Sequence, residues 1–145
     1  MPDNEKEAIA VWKEGLAFEG TAASGFKVAM DSRQGGTGFS PMELLLVSVA
    51  GCTGMDVIDL LRKKRQEVSG MEVRVAGTRA DEHPRKYTSI RIHFVVTGRE
   101  VSPEAVRRSI ELSATKYCSV SATLSGAAQI TTDFEIRAAA PVAGA

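Results

Sequence analysis

The amino-acid sequence predicts an α+β fold with the element order β-β-β-α-β-β-α-β, a largely antiparallel sheet and one central buried helix. Three observations predict it. Several segments alternate apolar and polar residues with the period of a half-buried strand. A long segment that is apolar on nearly all sides follows a complete helix-start signal, and a second such signal opens an amphipathic helix later in the chain. Strands and helices in this order place the helices on one side of the sheet.

Residues 8–14, 16–20 and 25–30 are short, are punctuated by Gly15, Gly20 and Gly25, and read as an antiparallel meander. A flexible loop, Gln34-Gly35-Gly36-Thr37-Gly38, follows. Ser40 then sits at an N-cap, Pro41 at the first helical position, and Glu43 completes a capping box. Residues 44–61 carry apolar side chains all round, the pattern of a helix surrounded by protein. Asp56, Asp59 and two glycines interrupt the run, and charges are expensive in lipid, so it reads as a soluble core helix and no membrane is expected. The cations Arg62-Lys63-Lys64-Arg65 suit the negative end of its dipole.

Residues 71–79 and 87–97 alternate as two strands joined around Asp81-Glu82-His83-Pro84. Ser102-Pro103-Glu104 starts the second helix, with Val106, Ile110 and Leu112 on its apolar face, and Ile130, Thr132, Phe134 and Ile136 mark a last strand. One domain over residues 8–137 follows, with flexible ends at 1–7 and 138–145. A helix apolar all round exceeds what one face of a six-strand sheet covers, which predicts a homodimer with this helix at its interface.

The 145 residues are 43% hydrophobic and 25% charged, within the range of one compact domain. Eighteen basic and eighteen acidic residues cancel, so no global field selects nucleic acid or an anionic membrane. The polar N-terminus lacks the features of a secretory signal, and a cytoplasmic location is expected. Two cysteines far apart in sequence are too few for a disulfide framework and lack the CxxC spacing of a metal site. His83 and His93 add no ligand set, so no metal is expected, and the glycine-rich segments do not match a phosphate-binding loop.

Cys52 lies in Ala50-Gly51-Cys52-Thr53-Gly54, where small neighbours allow either a reactant to approach the sulfur or a helix to pack closely. Reactivity needs thiolate, and Asp56, one turn away, opposes it, so an activating cation must come from elsewhere. Glu43 precedes Cys52 by nine positions, about 180° around the helix and about 13.5 Å along it. Glu43 is therefore either only the capping carboxylate or part of a site around a thiol of another subunit. Cys118, in Lys116-Tyr117-Cys118-Ser119-Val120, falls where the second helix should end, a position that suits either a mobile resolving thiol or a half-buried packing residue.

Ser40-Pro41-Met42-Glu43-Leu44-Leu45-Leu46, Ala50-Gly51-Cys52-Thr53-Gly54 and Lys116-Tyr117-Cys118-Ser119-Val120, in this order and spacing, resemble the OsmC/Ohr family over nearly the whole chain. Trp12-Lys13-Glu14-Gly15-Leu16 and Thr97-Gly98-Arg99 bring the likeness nearest to its YhfA-like branch. The resemblance implies an intertwined homodimer that reduces organic hydroperoxides or hydrogen peroxide. It implies Cys52 as the peroxidatic thiol, Cys118 as the resolving thiol, and an external dithiol reductant, such as a lipoylated protein, in place of a bound cofactor. It also implies an arginine held by Glu43, for which Arg33 is the candidate. The alternative is a non-catalytic or weakly redox-active dimeric binding protein on the same scaffold.

Overall fold

In the computed structural model, which describes residues 4–140, the long helix α1 (Pro41–Lys63) starts where the capping box puts it. The Ser40 N–H donates to Glu43 Oε1 at 2.7 Å and the Glu43 N–H donates to Ser40 Oγ at 3.2 Å, so two amides of the first turn find partners. At the other end Arg65 takes φ +57°, its N–H donates to the Arg62 carbonyl, and the Gln66 N–H donates to the Leu61 carbonyl. This is the Schellman pattern that ends a helix, here with an arginine in the left-handed position that usually falls to glycine.

The chain divides into two compact units, Met1–Leu45 and Leu46–Ala145. Of the flexible ends expected at 1–7 and 138–145, residues 1–3 and 141–145 lie outside the described residues. Residues 4–7 form neither strand nor helix, whereas Ala138 still belongs to the last strand and the Ala139 N–H donates to the Gly98 carbonyl at 2.9 Å.

The first unit holds the expected meander, β1 (Ala8–Glu14), β2 (Ala17–Ala22) and β3 (Lys27–Met30), paired antiparallel in that order. Gly15 and Gly25, at φ +53° and +88°, make the turns that L side chains resist. The register places Trp12 opposite Phe18 and Phe18 opposite Met30. Much of this apolar surface is bare in the single chain: Trp12 is 63% and Phe26 82% exposed.

In the second unit β4 (Glu67–Arg79) and β5 (Tyr87–Arg99) pair antiparallel, and β6 (Gln129–Ala138) pairs parallel to β5. The single six-strand sheet expected from the strand count is thus two three-stranded sheets. The parallel pair requires a long crossover, supplied by α2 (Pro103–Leu112), a π-turn (Ser113–Tyr117) and α3 (Ser119–Leu124). The π-turn and α3 are elements that the alternation of apolar residues did not announce. Ile90, Ile92, Phe94 and Val96 of β5, Val49, Val57 and Leu61 of α1, and Val106 and Ile110 of α2 are all buried. Each such side chain contributes roughly 1.5–3 kcal/mol through the water it sheds.

A methyl group on Gly54 of α1 would lie 3.3 Å from Val73 of β4, and one on Gly77 of β4 would collide first with the Tyr87 ring of β5 at 2.6 Å and also lie 3.1 Å from Leu46 of α1. Glycines on both elements therefore let the helix lie close on the sheet. Only one stripe of α1, Val49, Thr53, Val57 and Leu61, is fully buried, while Val47 is exposed and Met55 is 73% exposed. By length and composition α1 also meets the requirements of a membrane-crossing helix. Its packed stripe is that of a helix seated on protein.

Candidate functional site

Cys52 and Asp56, four residues apart on α1, point from the same face of the helix. The π-turn presents the second thiol to that face. Its wide loop closes with a hydrogen bond from the Cys118 N–H to the Ser113 carbonyl at 2.8 Å, a five-residue reach that delays the chain before α3 begins. Cys118 then caps α3, its sulfur accepting the Ser121 N–H at 3.4 Å. One ligating atom each from Cys52, Asp56 and Cys118 lie within 4.8 Å of one another. The two sulfurs meet within one unit of one chain, Cys118 buried and Cys52 partly exposed, and both are free thiols.

A chain of hydroxyl groups holds the carboxylate. Ser113 Oγ donates to Asp56 Oδ2 at 2.9 Å, and Thr53 Oγ1 lies 2.9 Å from Ser113 Oγ. Thr53 and Ser113 are buried, so these bonds are protected from water and fix the side chains they join. Thr53 and Ser121 also line a cavity of about 290 Å³ with Ser125, Gln129 and Thr132, room for a small polar molecule or for water.

The Cys52 thiol is pushed above its ordinary pKa, first by burial, then by its hydrogen bond and charge coupling with Cys118, and least by the charge of Asp56. A hydrogen bond from the backbone of Val120 acts in the opposite direction. In the single chain the site therefore rests as a neutral thiol. Gly51, beside Cys52, faces open space, whereas Gly54 faces the sheet. Of the two readings of the small residues around Cys52, close packing applies to Gly54, whereas Gly51 packs against no neighbour within 4 Å.

Glu43 and Arg33 belong to the other unit. The Glu43 carboxylate is engaged in the capping box with Ser40. Arg33 is exposed in a turn whose hub is Asp31, a buried carboxylate accepting the Ser32 N–H, the Thr37 N–H and the Thr37 hydroxyl. These bonds, that of the Thr37 hydroxyl foremost, hold the Asp31 pKa below its ordinary value. A side chain on Gly35 would collide with that carboxylate. The residues missed by sequence reasoning are Ser113 and Thr53. In the sequence Asp56 is a charge that interrupts an apolar run and opposes thiolate, and no spacing rule links it to a serine across the fold.

The OsmC-like protein family model matches residues 34–133, which includes both cysteines. Protein YhfA of Escherichia coli (strain K12) is 44% identical over 133 residues, covering 92% of this chain and 99% of its own. The crystal structure of a hypothetical protein from Aquifex aeolicus VF5 matches with TM-score 0.85 at 31% identity, over 94% of this chain and 99% of that one. The organic hydroperoxide resistance protein OhrB of Bacillus subtilis shares the fold at TM-score 0.60 and 19% identity, over 90% of this chain and 98% of its own. By its matched residues, its identity to these relatives and the fold it shares with them, the chain belongs to the OsmC-like family.

Proposed function

We propose that this protein is a thiol-dependent peroxidase of oxidative-stress defence, reducing organic hydroperoxides or hydrogen peroxide with Cys52 as the attacking and Cys118 as the resolving thiol. The observation that carries the reading is the approach of the two sulfurs, from distant parts of the chain, to within 4.8 Å. Cys52 is the more accessible of the two, and Cys118, at an element end, is placed to follow. The name of the OhrB relative supports the choice of substrate class.

In this reading the Cys52 thiolate attacks one peroxide oxygen, the O–O bond breaks, and the departing oxygen takes a proton to leave as alcohol or water. Cys52 is then a sulfenic acid. The Cys118 sulfur attacks it, an S–S bond forms, and the hydroxyl leaves with the Cys118 proton as water. An external dithiol, oxidised to its own disulfide, returns two electrons and two protons and restores both thiols. The bare apolar residues Trp12, Phe26, Val47 and Met55 support a homodimer as the working form. A guanidinium, for which Arg33 is the candidate, supplies positive charge to a thiolate of the other subunit, and the setting is the cytoplasm.

Cys52→Ser is expected to abolish dithiol-driven consumption of an organic hydroperoxide while leaving the unfolding curve in place. Mass spectrometry of the native chain after brief exposure is expected to find the Cys52–Cys118 disulfide. Undiminished turnover in the variant would refute the proposal. The upward push on the Cys52 thiol favours a second reading, a weakly redox-active dimeric binding protein, which predicts slow, stoichiometric oxidation without turnover.

A further inference from the structure

We infer that Cys52, Asp56 and Cys118 also form a zinc site, one Zn²⁺ per chain, whose occupation silences the thiols. The inference deepens the peroxidase reading, because it makes the same two sulfurs subject to a metal. Neither the spacing of the cysteines nor the two histidines suggested such a site, since its ligands converge only in the folded chain.

The donor set is two sulfurs and one carboxylate oxygen within 4.8 Å of one another. Zn–S bonds of about 2.3 Å and Zn–O bonds of about 2.0–2.2 Å, arranged tetrahedrally, put neighbouring ligand atoms roughly 3.6–3.8 Å apart. The three atoms thus need to close by at most about an ångström to reach that geometry. Two thiolates and a carboxylate match the borderline softness of zinc and outweigh its charge by one. Three protein ligands leave a fourth position for water, and Cys52 is itself only partly buried.

The surroundings orient each ligand. Ser113 fixes the Asp56 carboxylate through a 2.9 Å hydrogen bond and is itself joined to Thr53 at 2.9 Å. The Ser121 N–H is directed at the Cys118 sulfur, and the backbone of Val120 at that of Cys52. Hydrogen-bonded partners of this kind hold metal ligands in place elsewhere and are worth roughly 10–100-fold in affinity. Binding turns two thiols into thiolates and releases two protons, with no change of oxidation state. The lone pairs that would attack peroxide then lie in Zn–S bonds, so the zinc-bound and disulfide states exclude each other.

The test uses the full-length chain, reduced and stripped with a chelator, titrated with Zn²⁺ against a chromophoric indicator and separately with Co²⁺. Expected are one metal per chain, a thiolate-to-cobalt charge-transfer band that each of Cys52→Ser and Cys118→Ser diminishes or removes, and binding weakened about tenfold or more by Asp56→Asn. Ser113→Ala, a small change that keeps all three ligands, is expected to weaken binding roughly 10–100-fold with an unaltered circular dichroism spectrum. Zinc that binds all variants equally, or a cobalt spectrum without a thiolate band, overturns the inference. Peroxide consumption by the metal-free protein is measured separately. A chain that consumes peroxide and ignores zinc refutes only the metal site, and one that binds zinc without turnover refutes only the peroxidase.

Discussion

Two clusters in the second unit set a titratable side chain beside carboxylates, with opposite results. On the sheet, His93 lies between Asp133 and Glu135, its Nδ1 2.7 Å from Asp133 Oδ1 and its Nε2 2.9 Å from Glu135 Oε2. The antiparallel and parallel registers bring Arg74, His93 and Asp133 into one row across β4, β5 and β6. The hydrogen bonds to Glu135 and then Asp133 raise the imidazole pKa, which keeps His93 charged further toward neutral pH. Beneath α1, burial, Cys118 and Asp56 also raise a pKa, that of Cys52, which keeps the thiol neutral. Acidic neighbours favour whichever form carries the proton. For a histidine that form is the cation of an ion pair, and for a cysteine it is the unreactive acid. One cluster is complete as it stands, and the other is short of positive charge.

The sharpest way to break this contrast is the pH dependence of Cys52 alkylation in chelator-treated buffer. A thiol with an ordinary pKa near ~8.5 gains roughly 25-fold in thiolate between pH 7 and 9, and one with a raised pKa approaches roughly 100-fold. Native Cys52 is expected in the upper part of that range, read by mass spectrometry of the labelled peptide in a Cys118→Ser background and in the native chain. A flat profile would show that a cation already stabilises the thiolate and that the deficit drawn from the single chain is wrong. A smaller effect is expected of Asp56→Asn. Asp56 is the last of the influences on Cys52, behind burial and Cys118, so the variant should alkylate only a few-fold faster at pH 7. A much larger increase would promote the carboxylate above burial.

What was legible in the sequence follows the same division between local and distant causes. The start of α1 could be read because Ser40, Pro41 and Glu43 carry out the capping within one turn. The strands of both sheets could be read because alternation records which face is buried, although β4 begins at Glu67 rather than at residue 71. The π-turn could not. Residues 113–124 are mostly small or hydroxyl-bearing, without the apolar period that marks a helix, and their shape is set by the crossover they complete. The parallel pairing of β5 and β6 is non-local in the same way. At the site, the two cysteines stood out by their reactive chemistry. Ser113 did not, since a serine becomes informative only when its partner, 57 positions away, is known to be Asp56.

The smallest predicted effect concerns the histidine and turns on its sign. Because the folded pKa of His93 is raised, its contribution to stability is fully present below the unfolded value of about 6.5 and is lost as pH rises through the folded value. Glu135, its pKa held down first by His93 and then by Arg137, contributes above its ordinary value and loses that contribution as pH falls through its depressed one. The pair is thus worth most between about pH 4.5 and pH 6.5. His93→Gln keeps the hydrogen-bonding shape and removes the charge, so the urea midpoint of the native chain should exceed that of the variant near pH 5.5, with the gap closing by pH 9. His93 is only part-buried, which keeps the gap small. A gap that widens with pH would mean that neutral histidine is the form the sheet prefers, and the contrast with Cys52 would collapse.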